Sequence, residues 1–331
     1  MRGCFGSPAG FILFLLRAVE NITSQHVPVL PELVEQYGNF APGQKWIDGT
    51  AGGGGHTRLI AQAVGDQGAV LAVDRDPQAV DRLHRSDLPS QVVIRQGSYA
   101  DVDHWLTSLG WEAVDGILLD LGLSSDQLAD TTRGFSFQTE GDLDMRFDSS
   151  VGEPAWEWLQ RVDERHLADV IFQYGEERFS RRIARRIIEA RRTTSIRTAA
   201  QLREIIYAAV PRGRKVAGGG RRHGRVDPAT RTFQALRIAV NDELGELRRA
   251  LSRLPDLLGI GGRLLIISFH SLEDRMVKHA MRDDPRLQVI TKKPIRPSDQ
   301  EIVNNPRSRS AKMRVAERVQ GTPQDNGPGF V

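Results

Sequence analysis

The sequence predicts an α/β fold, a parallel sheet flanked by helices and interrupted by an inserted all-helical subdomain. Three observations predict it. Short apolar runs alternate with helical segments from Lys45 onward. A glycine-rich loop follows the first of these runs, and an acid ends the second. A long arginine-rich stretch of helical pattern then separates the early strands from a late one. Strands separated by helices of this length imply βαβ units.

The elements follow in order. Lys45 to Asp48 reads as a strand, and Thr57 to Val64 as a helix. Ala69 to Asp74 (AVLAVD) is apolar and ends in an acid, as a buried parallel strand does. Pro77 opens a helix, because proline is tolerated in the first helical turn. Val92-Val93-Ile94 is a third strand and Val114 to Leu121 (VDGILLDL) a fourth. Thr232 to Leu254 reads as one long amphipathic helix, since Phe233, Leu236, Val240, Leu244, Leu247, Leu251 and Leu254 recur at three- and four-residue steps. Arg263 to Phe269 (RLLIISF) is a further buried strand, entered through a turn at Gly259-Ile260-Gly261-Gly262. Ser271 to Arg282 follows as a helix, and residues 287–292 and 312–319 are expected as edge strands of a closing hairpin. The sheet-forming domain thus covers 25–124 and 231–320, with the insertion at 125–230. Residues 1–24 and 321–331 are expected to be disordered extensions.

Composition sets outer bounds. Apolar residues make up 40% of the 331, enough for a packed core, and 45 basic against 42 acidic residues leave a net charge of only +3. The single cysteine, Cys4, excludes a disulfide framework or a cysteine zinc site and fits a cytoplasmic protein. The apolar run Phe11 to Leu16 is interrupted by Arg17 and falls short of the roughly 18 to 20 residues a membrane span needs, so no membrane partner is expected. Nothing in the pattern requires a metal.

The loop Asp48-Gly49-Thr50-Ala51-Gly52-Gly53-Gly54-Gly55-His56 lies between a strand and a helix. Glycines allow close backbone approach and positive φ, and a helix N-terminus offers free N–H groups to a polar ligand. Asp74 stands where an acid can accept both ribose hydroxyls of a nucleoside. The dinucleotide fingerprint G-x-G-x-x-G is absent, and no Gly-Lys-Ser/Thr completes a phosphate loop. An acid directly before the glycines suits the cationic end of S-adenosyl-L-methionine instead.

Further motifs extend the pattern. They are His26-Val27-Pro28-Val29-Leu30, Asp74-Arg75-Asp76-Pro77, Gly116 to Ser125 (GILLDLGLSS), Arg133 to Phe137 (RGFSF), Leu143 to Arg146 (LDMR), Tyr174 to Glu177 (YGEE), Thr230 to Arg237 (TRTFQALR) and Ser268 to Arg275 (SFHSLEDR). Together with the loop they resemble the RsmH/MraW family, bacterial 16S ribosomal RNA (cytosine-N4) methyltransferases, over about residues 26 to 319. The resemblance implies a Rossmann-like class I S-adenosylmethionine methyltransferase sheet. It implies that Gly54, Gly55, His56, Asp74, Tyr99, Asp120 and Gln127 hold the cofactor, with Tyr99 where the family often has phenylalanine. It also implies one target, cytosine 1402 of 16S rRNA in the decoding centre of the small ribosomal subunit.

The exocyclic amine of cytosine is a poor nucleophile, because its lone pair is delocalised into the ring. An enzyme must accept its hydrogens and align it with the methyl group. Asp120, at the end of the fourth strand, is the best candidate. Asp144, Arg146, His270 and Ser271 are secondary ones. The Pro-Pro-Tyr motif of many amino-methyltransferases is absent after Asp120, so Phe135 or Phe137 would stack the base. Each has a plainer reading: His270 as a helix cap, Asp144 with Arg146 as an ion pair, the phenylalanines as core.

Between Arg178 and Arg225 the only acids are Glu189 and Glu204. Arg178, Arg181, Arg182, Arg185 and Arg186 form a basic stripe at helical spacing, and Arg212 to Arg225 reads as a mobile basic loop. Such groups point to RNA phosphates. Two other readings stay open: methylation of another nucleic-acid base, and a non-catalytic RNA-binding protein. The oligomeric state, monomer or homodimer, is left open.

Overall fold

The computed structural model describes residues 28–211 and 227–320. The expected extensions at 1–24 and 321–331 and the basic loop from Arg212 to Arg225 lie outside these described residues. Seven strands form one sheet: β1 (Lys45–Asp48), β2 (Ala69–Asp74), β3 (Val92–Gln96), β4 (Val114–Asp120), β5 (Leu258–Ser268), β6 (Leu287–Val289) and β7 (Lys312–Arg318). Their order is β3-β2-β1-β4-β5-β7-β6, and β7 runs antiparallel to both its neighbours. The chain steps outward from β1 to β3, then returns to place β4 on the other side of β1. That reversal opens a crevice at the carboxyl ends of β1 and β4, where ligands of such sheets bind.

Side chains alternate across each strand. Ile47, Leu71, Ile117, Leu119, Leu264 and Ile266 pack into one buried cluster. Trp46, Val70, Leu118, Leu265, Ile267 and Met313 pack into another. Covering both faces explains why these strands read as unbroken apolar runs. Gly116 belongs to this packing: a Cβ there would stand 2.3 Å from the Trp46 ring.

A third cluster lies outside the sheet. The helices Ala155–Arg161, Glu164–Gly175, Ser180–Arg191, Ala199–Ala209 and Pro228–Asn241 gather around Leu159, Leu167, Ile171, Ile183, Ile187, Leu202, Ile206 and Phe233. In the helix Ser180–Arg191, Ile183, Ala184, Ile187 and Ile188 are buried, while Arg181, Arg182, Arg185 and Arg186 are exposed. Residues 130–154, which precede these helices, contain no helix of their own.

Three expectations need correction. The segment Thr232 to Leu254 is not one helix but parts of two, Pro228–Asn241 and Glu243–Leu257. The break is Asp242, in the left-handed region at φ 50°, and Asn241 before it turns its amide to other backbone. Periodicity survives because both halves face apolar cores. The glycines at 259–262 are no turn before the strand: β5 starts at Leu258, which pairs with Val114, and the register then shifts so that Arg263 pairs with Gly116. Finally, β7 is not an edge strand. It lies between β5 and β6, with Met313, Val315 and Ala316 fully buried.

Candidate active site

At the carboxyl ends of β1, β2 and β4 lies a cavity of about 830 Å³. Gly49, Thr50 and Gly52 from the first loop, Asp74, Tyr99, and the run Asp120 to Ser125 form its sheet-side wall. Phe135, Phe137, Phe147 and Phe233 form an aromatic wall from the helical side, and Arg237, Glu243, His270 and Glu273 complete it. Its volume is in the range of small-molecule sites.

The loop geometry follows from its glycines. Gly52 (φ 50°) and Gly54 (φ 79°) take the left-handed conformation, which costs glycine nothing. Gly54 caps the helix Gly55–Val64, two residues earlier than the expected start at Thr57. Asp48, fully buried, holds the loop by accepting from Thr57 Oγ1 (2.6 Å) and the Thr50 N–H (3.2 Å). Burial pushes its carboxyl up to about 6 against those hydrogen bonds. Asp74 accepts from the Gly52 N–H through Oδ2 (2.7 Å) and from the Asp76 N–H through Oδ1 (2.8 Å). Burial raises it to about 6, the two hydrogen bonds pull it down, and the charges of Asp76 and Asp48 push it up further.

Asp120 has the sharpest environment. Its Oδ1 is buried with no hydrogen-bond partner among the described residues, and its Oδ2 lies 3.6 Å from His56 Nδ1. Burial, then the charges of Asp48 and Glu273, hold its carboxyl well above the usual range. His56 is pushed down to about 4 by burial, although the Val29 carbonyl, 2.9 Å from Nε2, favours the charged form. A neutral His56 that donates from Nε2 turns its Nδ1 lone pair toward Asp120. With His56 neutral, the pair is no ion pair at neutral pH.

The cofactor that the resemblance implies fits this cavity. Each Asp74 oxygen already takes one N–H and keeps a lone pair for a ribose hydroxyl. Asp120 Oδ1 is an orphaned acceptor on the wall. Gly49 sits so close to Leu119 and Tyr99 that a Cβ would stand 2.5 and 2.8 Å from their side chains.

The other expected residues fall in different places. Tyr99 lines the cavity. Gln127 lines it too, but its Nε2 donates to buried Asp76 (3.0 Å) and its Oε1 accepts from the Ser124 N–H in a capping box. Gly54, Gly55 and His56 stand behind the wall, shaping the loop and facing Asp120. Asp144 and Arg146 pair with each other through two short hydrogen bonds (2.8 and 2.7 Å), and Arg146 also donates to the Gly152 carbonyl; neither lines the cavity. His270 lines it and also caps the helix Ser271–Asp283, with Nδ1 accepting from the Glu273 N–H at 3.4 Å. Ser271 donates to Glu176 and is not on the wall. Phe135 and Phe137 line the cavity while stacked on Phe147 and edge-on to Phe233.

Sequence reasoning missed the partners. Arg133 donates to buried Asp76 (2.6 Å) and to the carbonyls of Arg146 and Phe147, tying the 130–154 segment to the end of β2. Arg237 grips both oxygens of Glu243 (2.7 and 2.8 Å) beside His270 and Glu273. Burial pushes Glu273 up, yet His270, Arg237 and the Phe269 N–H outweigh it and hold the carboxyl below its usual range. The sequence contained Asp76, Arg133, Arg237, His270 and Glu273 inside quoted motifs but Glu243 outside them, and nothing in their spacing reveals who pairs with whom.

The description of the MraW methylase family matches residues 23–319. The ribosomal RNA small subunit methyltransferase H of Rhodopirellula baltica is 48% identical over 309 residues, covering 90% of this chain and 92% of its own length. The protein of the same name from Deinococcus radiodurans is 50% identical over 298 residues, covering 90% and 91%. With these matches over nine-tenths of its length, the chain belongs to the MraW methylase family of S-adenosylmethionine-dependent methyltransferases.

Proposed function

We propose that this chain methylates N4 of cytosine 1402 in 16S rRNA of the small ribosomal subunit. The observation that carries the reading is one continuous cavity. It joins the acids of a nucleoside-binding sheet edge to an aromatic wall, with the orphaned Asp120 Oδ1 on the way. The relatives named above are small-subunit rRNA methyltransferases, which supports the RNA. The base and its position rest on the motif resemblance.

In this reading the helical region over 125–230 recognises RNA, with the exposed face of Arg181, Arg182, Arg185 and Arg186 among its phosphate contacts. The target base leaves its stack to enter, which costs a few kcal/mol. Phe135 and Phe137 offer it an apolar wall. S-adenosylmethionine supplies a methyl group on cationic sulfur. Asp74 takes the ribose hydroxyls, and Tyr99 packs on the adenine. Asp120 Oδ1 accepts a hydrogen from the exocyclic amine and so aims the nitrogen lone pair. The nitrogen sheds one proton after transfer, and the raised basicity of Asp120 lets it take that proton. No described helix is long and apolar enough to cross a membrane, and the reading places the protein in the cytoplasm with its ribosomal substrate.

Replacing Asp120 tests the assignment. Asp120→Ala is expected to lower turnover by about 10²-fold or more, the usual size of a positioned acid–base contribution. Cofactor affinity, read by calorimetry, is expected to fall far less. Near-normal turnover would remove Asp120 from the chemistry.

A further inference from the structure

We propose that Arg307 and Arg309 form a phosphate clamp at the cavity mouth that grips the RNA backbone beside the extruded nucleotide. This rests on the reading that an RNA base enters the cavity. Both arginines are exposed, and both line the cavity with Ser310. They stand on the 3₁₀ helix Pro306–Ser310, which leads directly into β7.

Their platform is fixed. Ser308 between them is fully buried and donates to the Asn305 carbonyl (2.8 Å). The Ala311 N–H returns to the Ser308 carbonyl (2.8 Å), and Pro306 restricts the first turn. The side chains are otherwise unemployed. Among the described residues, neither arginine has a carboxylate within ion-pair distance. The one hydrogen bond of Arg307 is long, 3.4 Å from Nη2 to the Ser125 carbonyl. The other arginines that line the cavity are paired: Arg237 with Glu243, Arg75 with Glu246. Burial of part of the Arg307 side chain, only partly offset by Asp126, works against its charge. A cation that is exposed on one side, partly desolvated on the other and without a carboxylate at ion-pair distance is stabilised by an arriving anion.

Position selects which anion. Arg307 reaches from the C-terminal segment to Ser125, just past the loop that follows β4. A strand that sends one base inward must lay its flanking phosphates across this edge. Guanidinium groups suit that task because their forks bind phosphate oxygens in pairs. The clamp is separate from the basic face of the helix Ser180–Arg191, which belongs to the helical cluster and not to the cavity wall.

The test compares the parent protein with Arg307→Gln/Arg309→Gln and Arg307→Lys/Arg309→Lys. Methylation of small-subunit rRNA is measured across a potassium chloride series, and S-adenosylmethionine affinity by calorimetry. Losing two phosphate contacts on a single strand is expected to flatten the log–log salt slope by about 1.4, at about 0.7 per contact. KM for RNA is expected to rise about tenfold at moderate salt, with kcat and cofactor affinity within about twofold. The lysine pair restores the slope, because charge is kept, and recovers affinity only in part. An unchanged slope and KM on an active parent would overturn the clamp alone. Loss of cofactor affinity with an unchanged RNA KM would overturn it too, by assigning the arginines to a carboxylate of the small ligand. A parent that methylates no rRNA would sink the proposed function, and the clamp with it.

Discussion

Asp74 carries a testable consequence of burial. Its carboxyl is raised to about 6, so in the folded protein it is largely protonated at pH 5 and ionised by pH 8. Ribose hydroxyls donate best to the ionised form. Affinity for S-adenosylmethionine should therefore rise about tenfold as pH climbs from 5 to about 7, then level off. Calorimetry at fixed ionic strength reads this directly. Asp74→Asn should abolish the rise and weaken binding by about 10- to 100-fold, the worth of hydrogen bonds to a charged group. A flat profile in the parent protein would contradict the role. Asp74 and Asp120 were legible in the sequence, because an acid at the end of a buried apolar run has few structural uses. Their environments were not. The Asp120–His56 contact and the orphaned Oδ1 depend on two segments 64 positions apart meeting in space, which no local pattern encodes.

At the scale of elements, the junction between the helices Pro228–Asn241 and Glu243–Leu257 decides how the helical cluster meets the sheet. Asn241 Nδ2 donates to the Met145 carbonyl (2.7 Å), and its Oδ1 accepts from the Phe147 N–H (2.8 Å). Met145 and Phe147 both line the cavity. Asn241→Ala leaves those backbone groups unpaired and should cost about 1 to 3 kcal/mol, seen as a lower midpoint in denaturant. An unchanged midpoint would show that the junction is held by packing alone. Apolar spacing predicted helix on both sides of this junction and hid the break, since both halves bury one stripe. A left-handed aspartate is set by tertiary hydrogen bonds, not by periodicity. The glycines at 259–262 misled for a related reason: a register shift of three residues between paired strands resembles a turn in sequence. Strands β1, β2 and β4 were legible almost to the residue because they are buried on both faces, whereas β5 begins at Leu258, ahead of the expected Arg263.

For the whole molecule, the cavity is lined from both the sheet and the helical cluster. The sheet supplies acids at its switch point, and the helical cluster supplies the aromatic wall and an arginine face. Arg133 crosses between them, from the carbonyls of Arg146 and Phe147 to Asp76 at the end of β2. The sheet and its nucleoside edge were readable from alternation and glycines. The wall was readable only as scattered phenylalanines, because Phe233 is far along the chain from Phe135, Phe137 and Phe147 and meets them only in the fold. The most direct test of the whole account is mass spectrometry of 16S rRNA from cells lacking this chain. The account predicts that N4 methylation at cytosine 1402 disappears, returns with the parent protein, and does not return with Asp120→Ala. Methylation that persists at that cytosine without the chain, or loss confined to a different base, would contradict it.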